Sequence, residues 1–110
     1  AVQQEQAARS WQEMIEVVAN RLRVSGPMVI ANATELLEQG RQLLAQQLSN
    51  GIAEVDLASV ADVDSSALGV LFGWLRTARD AKIELRVINS PTSMLSLAAL
   101  YGVADSLPLA

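Results

Sequence analysis

Residues 55–79 constrain the fold more than any other part of the chain. They read V-D-L-A-S-V-A-D-V-D-S-S-A-L-G-V-L-F-G-W-L-R-T-A-R. Val55 and Leu57 are typical of a short buried strand, and the D-V-D of residues 62–64 is typical of a turn. From there on, apolar residues recur at helical intervals, at positions 67, 68, 71, 74, 75 and 78. The pattern predicts a strand, a tight acidic loop and a helix that begins at Ser65.

The start of this helix has a predicted cap. Asp64 is well placed as the N-cap, because its carboxylate can accept hydrogen bonds from the unpaired amides of the first turn. The hydroxyl of Ser65 then lies at the positive end of the helix dipole. An anion at that position, including a phosphate on the serine, would be favoured by about 0.3–1 kcal/mol at an exposed site.

A second stripe of residues runs beside the buried face of the same helix. Ser65, Gly69, Phe72 and Arg76 are spaced 4, 3 and 4 residues apart, and Gly73 widens the stripe. Each glycine inside a helix costs about 1 kcal/mol relative to alanine, and a closely packed neighbour would offset that cost. The neighbour is either another element of the same domain or a separate protein, and the spacing leaves both interpretations open.

The residues D-S-S-A-L-G at 64–69, between a strand containing V-D-L and an amphipathic helix, resemble the STAS domain, the fold of bacterial anti-sigma-factor antagonists. In that family the serine or threonine after the aspartate is the regulatory position, which corresponds to Ser65. The antagonists usually carry glycine where this chain has Ala67. The combination of D-S-S-A-L with W-L-R-T-A-R at 74–79 is more similar to the MlaB-type branch. The resemblance covers roughly residues 22–109.

This resemblance implies one STAS-like α/β domain, a mixed sheet of four to five strands with helices mainly on one face. We place the domain at residues 13–110, after a polar N-terminal extension at residues 1–12. MlaB-type proteins are small cytoplasmic subunits of the ABC transporter that maintains outer-membrane lipid asymmetry. The resemblance therefore implies a non-catalytic, cytoplasmic subunit that binds and regulates or stabilises the transporter ATPase, and reaches the inner membrane through it. The residues expected to bind this partner are Asp64, Ser65, Gly69, Phe72, Gly73 and Arg76.

Two other functions remain open at this point. The first is an anti-sigma-factor antagonist that is switched when an anti-sigma factor kinase phosphorylates Ser65. A phosphate would add up to two negative charges to the contact face and repel a partner. The second is a small lipid- or nucleotide-binding domain that uses an apolar groove beside the central helix.

Composition narrows the chemistry. With 110 residues, 51% of them hydrophobic, the chain is expected to fold as one domain around one core. A net charge of −4 with scattered basic residues argues against binding to nucleic acid or to anionic lipid. The absence of cysteine and histidine excludes thiol chemistry and a Ser-His-Asp triad. No apolar run approaches the ~20 residues of a membrane span, and the polar start A-V-Q-Q-E-Q does not read as a signal peptide.

Asp56, Asp62 and Asp64 form the only close carboxylate cluster. They are accompanied by no histidine, no glycine-rich phosphate loop and no further ligand. Ser65 and Ser66 likewise have no general base beside them in sequence. These residues are therefore read as a polar loop and a helix start, and neither a metal nor a cofactor is expected.

The segment before residue 26 fits two structures. Trp11, Ile15, Val18 and Leu22 are spaced as on one helix face, whereas I-E-V-V-A followed by N-R and L-R-V-S suits a hairpin that turns at Asn20-Arg21. The family resemblance favours the hairpin, with strands near residues 13–19 and 21–25.

The other elements are predicted from the periodicity of apolar residues and from residues typical of helix ends. A helix is expected to begin at Asn32 and to end at residues 49–51. Asn32 can cap this helix in a capping box with Glu35, which lies three residues later. Strands are expected at 52–57 and at 83–88, where apolar and charged residues alternate. The last helix is expected to be capped by Ser90, to carry Pro91 at its first position and to end at Gly102, before a short terminal strand or tail. Three large side chains are expected in the core: Trp74, Met94 and Tyr101.

Overall fold

The computed structural model describes residues 14–46 and 51–109, which form four strands and three helices. In chain order they are β1 (Ile15–Val18), β2 (Arg21–Ser25), α1 (Ala33–Gln46), β3 (Gly51–Ser59), α2 (Ser66–Asp80), β4 (Ile83–Ile88) and α3 (Thr92–Leu100). Short 3₁₀ turns at Ile30–Asn32 and Ala104–Ser106 precede α1 and follow α3. The prediction of an α/β domain is confirmed, and the sheet in this part of the chain has four strands.

Some predictions fall outside the described residues. These are the polar extension at residues 1–12, the position of Trp11, and the end of the first helix at residues 49–50. The boundary placed between residues 12 and 13 therefore stays a prediction.

The sheet is mixed, with the strand order β1-β2-β3-β4. The pair β1–β2 is antiparallel, and the pairs β2–β3 and β3–β4 are parallel. The predicted hairpin is thus confirmed, but its turn lies at Ala19-Asn20, one residue earlier than predicted. Arg21 belongs to β2 because it pairs with Val18 on one side and with Glu54 on the other, where its guanidinium Nη2 lies 3.1 Å from the Glu54 carboxylate.

Strand order explains why the long helices cover one face. The chain moves from β2 to β3 to β4 in one direction across the sheet, through α1 and then α2. Right-handed crossovers in the same direction place both helices on the same face. There the two helices pack together around Trp74, whose indole Nε1 donates to the backbone oxygens of Leu36 at 3.2 Å and Leu37 at 3.1 Å. No helix of the described ranges is both long and apolar enough to traverse a bilayer.

Side chains alternate between the two faces of the sheet. The buried face contributes the centre of the core: Leu22, Val24, Ala53, Val55, Leu57, Ile83, Leu85 and Val87. The opposite face carries charged residues, including Arg21, Glu54, Glu84 and Arg86. Trp74 and Met94 are fully buried, which confirms their predicted place in the core.

The C-terminal end of α3 is closed as predicted. Gly102 adopts φ +69°, a conformation that favours glycine. The N–H groups of Gly102 and Val103 donate to the oxygens of Ala99 and Ala98, at 3.1 and 2.9 Å. This is the hydrogen-bond pattern of a Schellman motif. The chain then returns to the sheet, where Val87 N–H donates to Pro108 O at 2.8 Å.

The starts of α1 and α3 differ from the predictions. Asn32 is buried in the 3₁₀ turn before α1, and its side chain bonds Val29 N–H at 3.1 Å and Pro27 O instead of capping the helix. The N-cap of α3 is Pro91, in an extended conformation with ψ 149°, and Thr92 is the first helical residue. Pro91 accepts the first hydrogen bonds of the helix through its carbonyl, which leaves Ser90 outside the cap.

Candidate functional site

Asp64 caps helix α2 as predicted. Its Oδ1 accepts a hydrogen bond from Ser66 N–H at 2.8 Å, and its carbonyl accepts one from Ala67 N–H at 3.0 Å. The helix begins at Ser66, one residue later than predicted, although Ser65 already has helical dihedral angles of φ −62° and ψ −19°. Ser65 makes no capping bond through its side chain. Because Asp64 performs the capping, the exposed hydroxyl of Ser65 is not needed for it.

The Asp64 carboxylate also holds the loop that follows β2. Asp64 Oδ2 accepts a hydrogen bond from Ile30 N–H at 2.9 Å, and Met28 exchanges backbone bonds with Asp62 at 2.8 Å and with Asp64 at 3.2 Å. The Ile30 amide is the main reason that the pKa of Asp64 lies below its ordinary value, with smaller contributions from the Ser66 amide and hydroxyl. Partial burial opposes this shift in pKa. The negative charge therefore stabilises both the loop and the helix start.

Four of the residues predicted to bind a partner lie along an accessible stripe of α2. Ser65, Gly69 and Arg76 are exposed, and Phe72 is half-buried. A Cβ built on Gly69 would meet no atom within 4 Å from the described part of the chain, apart from the adjacent residues and the backbone of its own helix. Within residues 14–46 and 51–109, therefore, no neighbour explains this glycine.

Gly73 does not belong to the open stripe, contrary to prediction. It is buried, and a Cβ built on it would lie 2.3 Å from Cδ1 of Leu37 on α1. The two glycines that the sequence could not distinguish therefore have different roles. Gly73 allows α1 and α2 to approach each other, whereas Gly69 faces open space.

A shallow apolar groove of about 260 Å³ lies beside Ser65. Its lining comprises Ser65, Leu68, Phe72, Tyr101 and Val103. Tyr101, predicted to be in the core, is instead 58% exposed because it is the C-cap residue of α3. Sequence reasoning missed this side of the groove, because apolar residues occur on most sides of α3 and do not indicate which face is buried.

The three aspartates of the acidic cluster do not form a metal site. Asp56 is buried, and its Oδ1 accepts hydrogen bonds from Asn89 Nδ2 and Ala58 N–H, both at 3.0 Å. These two hydrogen bonds lower the pKa of Asp56, and the bond from Asn89 has the larger effect. The nearby Arg21 and Arg23 lower the pKa further, whereas burial of the carboxylate raises it. Within residues 14–46 and 51–109, no three acidic side chains converge as metal ligands would. Asp56 holds strand ends together, and Asp64 holds a loop and a helix.

Comparisons with known proteins bear on the family and the fold. A family model described as "Mlab, STAS domain" matches residues 11–109. The chain is 29% identical over 68 residues to the intermembrane phospholipid transport system binding protein MlaB of Haemophilus influenzae. That alignment covers 62% of this chain and 65% of the relative, so this chain spans somewhat less than two thirds of the relative's length.

Solved structures of anti-sigma factor antagonists have the same fold. A putative antagonist from Thermotoga maritima superimposes with a TM-score of 0.69 at 14% identity, covering 90% of this chain and 87% of its own. The phosphorylated form of the Bacillus cell fate determinant SpoIIAA gives a TM-score of 0.62 at 15% identity, with 87% and 88% coverage. At these identities the comparisons establish the fold alone.

Proposed function

The chain belongs to the MlaB-type STAS domain family, as the combination of D-S-S-A-L with W-L-R-T-A-R predicted, and from this premise we propose that it is a non-catalytic subunit that binds the ATPase of a phospholipid-transport ABC system. Binding would regulate or stabilise that ATPase. The domain would act in the cytoplasm and reach the inner membrane through its partner.

The observation that carries the proposal is the exposure of Gly69, the fourth residue of α2. A glycine there costs about 1 kcal/mol relative to alanine, and nothing in the described part of the domain lies close enough to require it. A partner that packs directly on the helix backbone would require it. Ser65, Phe72 and Arg76 lie on the same stripe and would form the rest of the contact, with Asp64 fixing the helix start.

The test is to place a large or charged side chain on this stripe. We expect Ser65→Arg and Gly69→Glu each to abolish co-purification with the ATPase subunit while the domain stays folded, because both side chains project from an exposed helix surface. Ser93→Arg is the matched control: it changes an exposed serine in the first turn of α3, and we expect it to leave binding intact. Unchanged co-purification of the Ser65 and Gly69 variants would contradict the proposal.

A second function has its own support in the position of Ser65. Its exposed hydroxyl makes no capping bond at the start of α2, where a kinase could reach it, and the solved relatives include anti-sigma factor antagonists. In this alternative an anti-sigma factor kinase phosphorylates Ser65. The phosphate would add about −1.5 to −2 charges beside the carboxylate of Asp64 and weaken the contact with an acidic partner surface. Intact-mass measurement after incubation with such a kinase distinguishes the two functions, because only the antagonist gains a phosphate.

A further inference from the structure

Two of the three most exposed large apolar side chains in residues 14–46 and 51–109 belong to residues connected to the start of α2: Ile30 bonds Asp64 through its N–H, and Tyr101 lines a groove with Ser65. The third, Leu100, directly precedes Tyr101. Leu100 is 76% exposed, Ile30 is 75% exposed and Tyr101 is 58% exposed, whereas the others do not exceed 43%. Isolated apolar residues are ordinary on a protein surface. A group of them around one contact residue is typical of an interaction site.

Ile30 is fixed on the β2 side of Ser65. It follows β2, and its N–H donates to the Asp64 carboxylate at 2.9 Å, although the two residues are 34 positions apart in sequence. The backbone bonds between Met28 and residues 62 and 64 hold the same segment. The exposed side chain of Ile30 is thus carried by a loop that is tied directly to the start of α2.

Tyr101 and Leu100 lie at the end of α3, which follows β4 on the other side of β3. Tyr101 lines the groove together with Ser65, Leu68, Phe72 and Val103. The Schellman motif at Gly102 fixes the direction in which the chain leaves α3 and so positions Val103. With a volume of about 260 Å³, the groove is smaller than the roughly 300–1,000 Å³ of small-molecule sites and suits one large side chain of a partner.

The charge beside the groove is negative. Asp64 immediately precedes Ser65 and Asp62 lies three residues before it, and neither forms an ion pair with another residue in the described ranges. An apolar partner segment flanked by basic residues would complement this charge, because unlike charges across an interface favour encounter and set orientation.

We propose that the docking surface extends beyond α2 onto an apolar rim made of Ile30, Leu100 and Tyr101. The ATPase subunit seats a bulky apolar side chain in the groove that Tyr101 lines with Ser65, and basic residues beside that side chain face Asp62 and Asp64. The inference deepens the proposed function and rests on it, since the groove shares Ser65 and Phe72 with the stripe on α2.

The experiment measures the affinity of the intact domain for the ATPase subunit by titration calorimetry. We expect Ile30→Ser and Tyr101→Ser each to weaken binding at least about tenfold, as is typical of apolar anchors in an interface. Two variants are matched controls: Ile52→Ser on the open sheet face and Leu95→Ser on α3 remove exposed residues of the same apolar class outside the rim. We expect both controls to bind within about twofold of the unmodified domain.

Two further measurements complete the test. Leu100→Ser supports the same conclusion if Tyr101→Ser unfolds, because Leu100 is 76% exposed. We expect Asp62→Lys to slow association and to reduce its dependence on salt concentration, since attraction between exposed charges is screened by ions. If Asp62→Lys associates as fast as the unmodified domain, the proposal that basic residues of the partner face Asp62 is wrong.

The outcomes separate this inference from the function on which it rests. If Gly69→Glu abolishes binding while the rim variants bind normally, the rim is overturned and the docking stripe on α2 stands. If Gly69→Glu also binds normally, both proposals fail. If the control variants weaken binding as much as the rim variants do, the effect is general and the rim is again overturned.

Discussion

One carboxylate connects two segments that are distant in sequence. Asp64 accepts from the backbone of Ile30 with one oxygen and from that of Ser66 with the other. Its neighbour Ser65 therefore keeps an exposed hydroxyl that does not cap the helix. At the scale of single residues, the arrangement separates the residue that builds the site from the residue that a partner would contact.

The lowered pKa of Asp64 and Asp56 predicts a loss of stability in acid. A carboxylate whose pKa is lowered by folding stabilises the native state above its unfolded pKa of about 3.9, and this stabilisation is lost as the pH falls through the folded pKa. We expect the free energy of unfolding, measured with denaturant from pH 6 to pH 3, to fall below about pH 4. Asp64→Asn should be less stable at pH 6 and show a shallower fall, and an unchanged pH profile would contradict the role of this carboxylate.

Residue spacing could predict some of these roles and not others. The cap at Asp64 could be predicted because its chemistry is local and depends on the next two or three residues. Gly69 and Gly73 could not be told apart, because the difference lies in Leu37, which is far away in sequence. Ile30 gave no signal either, since its link to Asp64 spans 34 positions and involves only its backbone.

At the scale of elements, the two long helices meet through glycines and one tryptophan. Gly40 on α1 faces the ring of Trp74, and a Cβ built there would lie 2.1 Å from the indole Nε1. Gly73 on α2 faces Leu37. The two helices can therefore approach closely only because each has a glycine, which lacks a side chain, at the contact. This close approach also permits the two hydrogen bonds from Trp74 to the backbone of α1.

Alanine substitutions at two glycines should have opposite effects on stability. Gly40→Ala should lower the free energy of unfolding by at least about 1–3 kcal/mol, because the rigid indole ring has to move out of a packed core. Gly69→Ala should raise it by up to about 1 kcal/mol, since the helix gains a better helix former in open space. Chemical denaturation measures both, and destabilisation by Gly69→Ala would show that this position is not open.

Helix and strand positions were easier to predict than helix ends. The stripe of α2 and the alternation in β4 follow from single periodicities, and both elements lie where they were predicted. The ends of helices depend on competing groups. Pro91 caps α3 with its carbonyl in place of Ser90, and Asn32 is buried against the preceding loop. Tyr101 was misplaced because it lies at such an end.

At the scale of the whole molecule, the last described residues close the edge of the sheet. Leu107 is 6% exposed, Pro108 O accepts from Val87 N–H at 2.8 Å, and Leu109 pairs with Val87. The same segment begins at Val103, which lines the groove beside Ser65. The tail therefore links the proposed docking surface to the central sheet.

Deletion of residues 107–110 should lower the melting temperature by several degrees or more. The loss of one buried leucine costs about 1.5–3 kcal/mol, and about 1 kcal/mol shifts the midpoint of a domain of this size by roughly 4–8 °C. Leu107→Ala is the control for the side chain alone and should account for most of the shift. A midpoint equal to that of the intact chain, measured by calorimetry, would mean that the tail does not contribute to the fold.

The charged face of the sheet provides a position for a fluorescent label away from the proposed docking surface. Glu84 lies on that face, paired with Arg86, while α1 and α2 cover the other. The 110 residues contain no cysteine, so Glu84→Cys would create a single attachment point for a fluorophore among them. A dye fixed there would report tumbling and assembly while leaving untouched the surface through which we propose the domain is held.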